Sequence, residues 1–391
     1  MCKAPRVPPE RPATADTDRL RVGFDATPLL GRPTGIGVFC AGALAGLAGR
    51  DDVAVSAYAV SWRRRHGIDD RVPAGVPTAQ RPMPARPLHA VWGRWSWPPL
   101  EWFTGPLDVV HGGNYVVPPT RRAARVVTVH DLTVEHFPEL CDPPTLAYPG
   151  LIRRAVAEGA WVHTDSEFVA AEVVATFAVD PARVRAVPLG VPPLPAAAPA
   201  GASLPIDLPE GCRRYVLAVG TIEPRKDYPL LVRAFGAVAA AHPDVALVVV
   251  GGDGWGAERF AEAVVASPAR DRIVRPGYLS DADLAAVLRS AAVLAYPSRY
   301  EGFGFPPLQA MAASVPVVAT AAGAVPEVVG DGAWLVAPGD VDGLADRLVA
   351  ALNGGADRDA LVARGLARSG AFSWTACAAG LAALYRDAAG R

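Results

Sequence analysis

Lysine is almost missing from this chain. Of the 38 basic residues only Lys3 and Lys226 are lysines, and all the others are arginines. A base-composition bias accounts for such displacement, so a lysine kept inside the folded region marks a place where an ammonium is wanted. Cysteine is also scarce. Cys2, Cys40, Cys141, Cys212 and Cys377 are odd in number and widely scattered, and no Cys-x-x-Cys pair occurs. This speaks against a disulfide frame or a thiolate zinc site and for free thiols in a reducing compartment. His66, His89, His136, His163 and His242 show no metal-ligand spacing either. No run approaches the roughly 20 apolar residues of a membrane span. No Gly-x-Gly-x-x-Gly follows the first strand with an acidic residue about 20 positions on, which disfavours a nicotinamide-dependent dehydrogenase. The net charge is −1, and no basic block lies along a helix, so no nucleic-acid partner is expected.

What is present is apolar mass. Hydrophobic residues are 51% of 391 positions, enough for two cores of ordinary size. Residues 1–19 are rich in Pro, Arg and Asp without an apolar stretch, and read as a disordered tail rather than a signal peptide. Strands are expected at 20–25, 54–59, 109–111, 126–130 and 161–164, with helices at 38–48, 144–157 and 167–176. A Pro/Ala-rich linker covers 192–209. A second alternating series follows. Its strands lie at 215–220, 245–250, 273–275, 293–296, 317–319 and 335–336, and its helices at 229–241, 255–266, 281–290, 305–313 and 341–352. A last helix at 373–388 is placed to return to the first domain. Alternation of this kind predicts an α/β fold of two Rossmann-like domains, 20–191 and 210–372, each with a parallel sheet covered on both faces.

Two motifs carry chemistry. Gly220-Thr-Ile-Glu-Pro-Arg225-Lys226-Asp227 stands between a strand and a helix, where ligands of open α/β sheets bind. A fork-shaped guanidinium beside a point-charge ammonium suits a diphosphate whose charge grows as a sugar leaves. The bland alternative is a solvated basic pair, but cations at a helix start oppose the helix dipole. The second motif, Tyr300 to Gln309, puts Glu301 at a strand end beside Gly302 and Gly304, which let the backbone approach a ligand closely. Glu301 there could accept bonds from sugar hydroxyls or merely cap a helix.

Together with Gly251–Gly256 (GGDGWG), GYLSDADLAAVLRSA and AAGAVPEVVGDGAWLV, these motifs resemble the retaining glycosyltransferases of family 4. The first half agrees through Gly35-Ile36-Gly37, DVVHGGNYVVPP, TVHDL, HTDSEF and PLGV. The resemblance spans about residues 20–388 and is nearest to bacterial mannosyltransferase-like members. It implies the GT-B fold, metal-independent chemistry without a cofactor, and retention of anomeric configuration. By the same resemblance Gly35 and Gly37 approach the donor phosphate, with Gly220, Arg225 and Lys226 gripping it from the other side. Glu301 and the amides of Phe303 and Gly304 hold the donor sugar. His130 faces the sugar beside the acceptor, and Asp131 orients local structure. Gln309 departs from the family, which usually carries a second glutamate for the ribose diol.

His111 and Asn114 are placed on the acceptor side or in loop packing. Asp281-Ala-Asp283 looks like a metal-binding DxD, but Ser280 with Asp283 fits a helix cap better. Trp92, Trp95, Trp97 and Trp102 suggest a peripheral membrane contact or sugar stacking, against packing on the first domain. The expected partners are a nucleotide-sugar donor, GDP-mannose first, and a glycan, lipid-linked or small-molecule acceptor. The expected location is the cytoplasm, with contact at the inner membrane face. A degenerate donor-binding protein and a GT-B phosphorylase are the rival readings.

Overall fold

The computed structural model describes residues 19–31, 34–79, 81–92, 94–195 and 203–391. The expected tail, except Arg19, and the middle of the expected linker lie outside these residues.

The first six strands are β1 (Leu20–Asp25), β2 (Val53–Tyr58), β3 (Val109–Gly112), β4 (Ala124–Val129), β5 (Trp161–Thr164) and β6 (Val184–Ala186). They form one sheet in the order β2-β1-β3-β4-β5-β6, every pairing parallel. The helices between them are α1 (Gly35–Ala48), α2 (Ala85–Trp92), α3 (Glu101–Thr104), α4 (Thr133–His136), α5 (Tyr148–Ala157) and α6 (Glu167–Phe177). The second sheet holds β7 (Arg214–Val219), β8 (Val245–Val250), β9 (Ile273–Gly277), β10 (Val293–Tyr296), β11 (Val317–Thr320) and β12 (Trp334–Val336). Its order is β12-β11-β10-β7-β8-β9, again all parallel. Its helices are α7 (Tyr228–Ala241), α8 (Ala257–Ala266), α9 (Asp281–Ser290), α10 (Phe305–Ala312), α11 (Val325–Val329), α12 (Val341–Asn353), α13 (Ala356–Ser369) and α14 (Trp374–Ala389). All six residues of β8, VALVVV, are buried, as a parallel strand covered by helices on both faces requires.

The last helix, α14, packs on α1 and on β3, β4 and β5 of the first sheet. Small residues make this possible. A methyl at Gly42 would stand 2.2 Å from the Trp374 ring, one at Gly46 2.8 Å from Ala378, and one at Gly190 2.4 Å from the Trp374 amide nitrogen.

The short helices α3, α4 and α11 were not expected, and α5 starts at Tyr148 where a helix from 144 was expected. Three further differences have a readable cause. Helix α1 begins three residues early, because Thr34 Oγ1 caps it by accepting from the Gly37 amide at 3.3 Å. The glycines that read as loop therefore form its first turn. Helix α13 was not foreseen, since Gly365 interrupts its pattern. That glycine lies in contact with Gly332, where a Cβ on Gly332 would be 2.7 Å from Gly365 Cα. Strand β6, Val-Arg-Ala, is a three-residue edge too short for a pattern to announce it.

Candidate active site

In an open parallel sheet, the crevice for ligands lies beyond the carboxyl ends of the strands where the strand order reverses. In the second sheet that point falls between β7 and β10. Arg225 and Lys226 follow β7, and Glu301 follows β10, so two segments 75 residues apart in the chain meet there. Lys226 Nζ donates to Glu301 Oε1 at 2.6 Å and to Tyr296 Oη at 3.1 Å. Arg225 donates to Glu301 Oε2 at 2.5 Å, to the Tyr300 carbonyl at 3.0 Å and to Glu223 Oε1 at 2.6 Å.

Lys226 and Glu301 are buried, 9% and 6% exposed, and Arg225 and Glu223 are half-buried. Burial by itself would raise the Glu301 pKa. The charges of Arg225 and Lys226 overcome it and push the carboxyl down to about 2. Burial likewise works against the Arg225 cation, and Glu301 and Glu223 reverse that, raising its pKa. Two cations and two carboxylates balance to zero here, the arrangement in which buried charge is tolerable.

Glycines bring the loops this close. Gly220 has φ +146°, and a Cβ there would touch Tyr228 Oη at 3.0 Å and Lys226 Cε at 3.3 Å. The GGDGWG loop lies against it backbone to backbone: a Cβ on Gly251 would be 2.0 Å from the Gly220 carbonyl oxygen. Gly304, at φ +114°, opens α10. Among the described residues, the amides of Gly302, Phe303 and Gly304 donate to no protein acceptor, so a helix N-terminus and its free N–H groups face the crevice. Gln309 stands one turn into α10 and is half-buried.

In the first sheet the order reverses between β1 and β3; beyond β1 the first turn of α1 carries Gly35–Gly37, and beyond β3 a loop carries Gly113–Asn114. A Cβ on Gly35 would meet the Phe305 ring at 3.7 Å, so the N-termini of α1 and α10 face each other across the seam. His130 follows β4. Its Nδ1 bonds Asp165 Oδ2 at 2.7 Å, and its Nε2 bonds the Gly113 carbonyl at 2.9 Å. Both partners only accept, so both ring nitrogens must carry protons, and His130 is an imidazolium. Burial opposes that charge, and Asp165, with help from the Gly113 carbonyl, outweighs it to raise the His130 pKa. Asn114 Oδ1, nearby, is buried without a bond. Asp131 Oδ1 accepts from the Thr133 amide at 3.0 Å, closing a local turn.

His111 corrects the sequence reading. It is 0% exposed and lies under the site in a directed chain. His163 Nε2 bonds the Val187 carbonyl at 3.2 Å and must donate, so His163 Nδ1 accepts from Thr128 Oγ1 at 2.9 Å. Thr128 then accepts from His111 Nε2 at 2.7 Å, and His111 Nδ1 accepts from Tyr385 Oη at 2.6 Å. The chain ties α14 to three strands and leaves no face of His111 for an acceptor. The Asp281–Asp283 pair is a cap, as the Ser280 reading expected: Ser280 Oγ accepts from the Asp283 amide and donates to its carboxylate.

The domains meet through contacts that sequence reading missed. Ser166 Oγ donates to the Gly302 carbonyl at 2.9 Å. The Glu327 carboxylate accepts from the amides of Glu167 and Phe168, both at 2.9 Å, capping α6 from the opposite domain. Tyr300 Oη donates to Glu172 and accepts from the Leu132 amide. Trp255 Nε1 donates to the Leu140 carbonyl at 2.7 Å. These pairs are 100 or more residues apart, and nothing local in the sequence announces them.

Two facing Rossmann-like domains, with an anion-ready grip at the seam, define the GT-B glycosyltransferase architecture. The solved structure of Anabaena HepE in complex with UDP and glucose shares it, with a TM-score of 0.67 at 17% identity over 93% of this chain and 99% of that one. The glycosyl transferases group 1 model matches residues 207–368. O-antigen chain mannosyltransferase B of Escherichia coli is 30% identical over 278 residues, 69% of this chain and 71% of its own length. The MMP alpha-(1->4)-mannosyltransferase of Mycolicibacterium hassiacum is 47% identical over 117 residues, 29% of this chain and 28% of its own. The chain belongs to the glycosyl transferases group 1 family.

Proposed function

We propose that this glycosyltransferase moves a hexose, mannose from GDP-mannose as the first candidate, to a hydroxyl of a glycan, lipid-linked or small-molecule acceptor. In this reading it is metal-independent and retains the donor's anomeric configuration. The observation that carries the reading is the convergence of Arg225 and Lys226 on Glu301 at the strand-order reversal of the second sheet. Two relatives carry mannosyltransferase names, which supports the sugar. The UDP bound by HepE keeps uridine donors in the test panel. The four described cysteines are free thiols, in keeping with a reducing cytoplasm.

The donor diphosphate takes the place of the Glu301 carboxylate on Lys226 and Arg225. Glu301 then accepts from hydroxyls of the sugar, and the free amides of Phe303 and Gly304 donate to it. As the sugar–phosphate bond breaks, charge builds on the leaving oxygen between the two cations, where it is stabilised most. The acceptor hydroxyl attacks from the face the phosphate leaves, giving up its proton to that phosphate. Both N–H groups of the His130 imidazolium are held by Asp165 and the Gly113 carbonyl, so from the first domain it supplies positive charge beside the site and not a hydrogen bond to the sugar. The test is release of nucleoside diphosphate from a panel of GDP- and UDP-sugars with added acceptors. GDP-mannose turnover is the expected result, and no turnover with any donor would refute the reading.

A further inference from the structure

The four tryptophans of residues 92–102 divide into two kinds. Trp92 is 7% exposed, packs with Tyr58, Val60 and Val110, and bonds the Pro98 carbonyl through Nε1. Leu88, one turn earlier, also points inward, so α2 spends its apolar face on the core. The other three do the opposite. Trp95 is 61%, Trp97 57% and Trp102 47% exposed, and the Trp97 and Trp102 rings touch edge to face at 5.3 Å. Exposed apolar surface in this concentration marks a contact site on a soluble protein.

The surroundings are basic. Trp102 borders a recess of about 790 Å³ that is also lined by Arg21, Arg121, Arg122 and Arg391. Arg81 donates to the Trp102 carbonyl, and Arg94 is exposed beside Trp95. Two of the three carboxylates of this end are paired with arginines, Asp108 with Arg21, and Glu158 with Arg125 and Arg154. The third, Glu101, meets only backbone amides: its Oε1 accepts from those of Arg121, Arg122 and Ala123, and its Oε2 is buried without a partner among the described residues. Among the described residues no carboxylate pairs with Arg94, Arg121 or Arg122. In a chain of net charge −1 this is a local positive face.

We infer that this face is a docking site for the headgroup layer of an anionic lipid bilayer. Indole rings settle at the boundary between headgroups and acyl chains, and guanidiniums bind lipid phosphates. No helix among the described residues is long and apolar enough to cross a membrane, so the attachment is peripheral. Its position has a consequence. Arg21 and Ala124 begin β1 and β4, and Asp108 precedes β3, so the site lies at the amino ends of the strands. The crevice lies at their carboxyl ends. Six-residue β1 at about 3.3 Å per residue separates the two by about 20 Å. The protein thus rests on the membrane by the end of its first domain and holds its crevice away from the surface. An acceptor carried on the membrane must reach it on an extended chain.

The test is flotation of the full chain with phosphatidylcholine vesicles and with phosphatidylglycerol-rich ones. Flotation with the anionic vesicles alone, weakened by salt, is expected. Arg121→Ala/Arg122→Ala should weaken the association roughly 30-fold, taking about 1 kcal/mol per basic residue near an anionic surface and 1.4 kcal/mol per decade. Trp95→Ser/Trp97→Ser should lower binding at high salt, where insertion outweighs charge. Melting temperature and donor turnover with a soluble acceptor should be unchanged in both variants, because neither pair lies near the crevice. Equal flotation with both vesicle types, or wild-type flotation by the arginine variant, would overturn the inference. So would tight binding of a soluble anionic oligosaccharide with no flotation, which would assign the recess to a glycan. Each of these failures would leave the transfer reading intact.

Discussion

Lys226 is the position at which composition and geometry make the same demand. The ammonium is nine-tenths buried and meets Glu301 and Tyr296. A Cβ on Gly220 would be 3.3 Å from its Cε, so the stem runs in a groove with no room to spare. Lys226→Ala should lower kcat/KM on the order of 10²-fold or more, since the charge it stabilises develops on the way to the transition state. Lys226→Arg should restore activity only in part, because a planar fork cannot replace a compact point charge in that groove. Near-normal turnover by the alanine variant would refute the assignment. Gln309 should behave differently. Bonds to charged groups contribute about 1.5–3 kcal/mol against about 0.5–1.5 for neutral pairs, so a glutamine weakens a ribose contact by roughly 1 kcal/mol, or about fivefold. Gln309→Glu should therefore keep kcat and shift donor KM only severalfold, while Glu301→Gln loses most activity. Wild type inactive across a donor panel, with turnover switched on by Gln309→Glu alone, would instead mark a relic that binds donors.

At the scale of elements, the decisive structure is the buried chain from Tyr385 through His111, Thr128 and His163 to Val187. It works only while both histidines are neutral. Burial, reinforced by the nearby His130 cation and by His163 whenever that ring takes up a proton, holds His111 well below the usual range. Burial pulls His163 down to about 4, against the contrary pull of Asp165. A histidine whose folded pKa is depressed contributes stability that is present above its unfolded value of about 6.5 and is lost as pH falls. The melting temperature should thus drop between about pH 6.5 and 4, with α14 releasing first. Tyr385→Phe leaves His111 Nδ1 without a donor at a cost of about 1–3 kcal/mol and should flatten that pH dependence. An unchanged melting profile in Tyr385→Phe would show that the chain does not hold α14.

The legibility of the elements follows the same physics. Strands such as Val245–Val250 and Val293–Tyr296, and the helix Asp281–Ser290, are evident from their residues because buried runs and caps are local signals. The positions of Arg225, Lys226 and Glu301 were also evident, since glycines and strand ends mark them. Asp165, Glu327 and Tyr300 act on partners far away in the chain, and α13 hides behind a glycine needed for a tertiary contact. His111 was misplaced because a strand-end histidine reads the same whether its ring turns outward or under the sheet.

For the whole molecule the two domains are held closed, and Gly302 sets how closely they approach. A Cβ there would stand 1.7 Å from the His130 carbonyl oxygen and 2.9 Å from Asp131 Cβ. Gly302→Ala should keep each domain folded yet prevent full closure. Displacing the half-sites by about 1 Å costs on the order of 10²-fold in turnover. Small-angle scattering should show a larger radius for the variant, and donor binding should not compact it to the wild-type value. Wild-type turnover and compactness in Gly302→Ala would mean that closure is not needed.

The central claim is that donor phosphate bound by Lys226 and Arg225, with no metal, lets the acceptor enter on the face the phosphate leaves. The most direct test is an NMR assignment of the glycosidic linkage made from GDP-mannose in the presence of EDTA. The account predicts turnover undiminished by EDTA and a product with the donor's α configuration. A β-linked product, or activity abolished by EDTA and restored by a divalent cation, would contradict it.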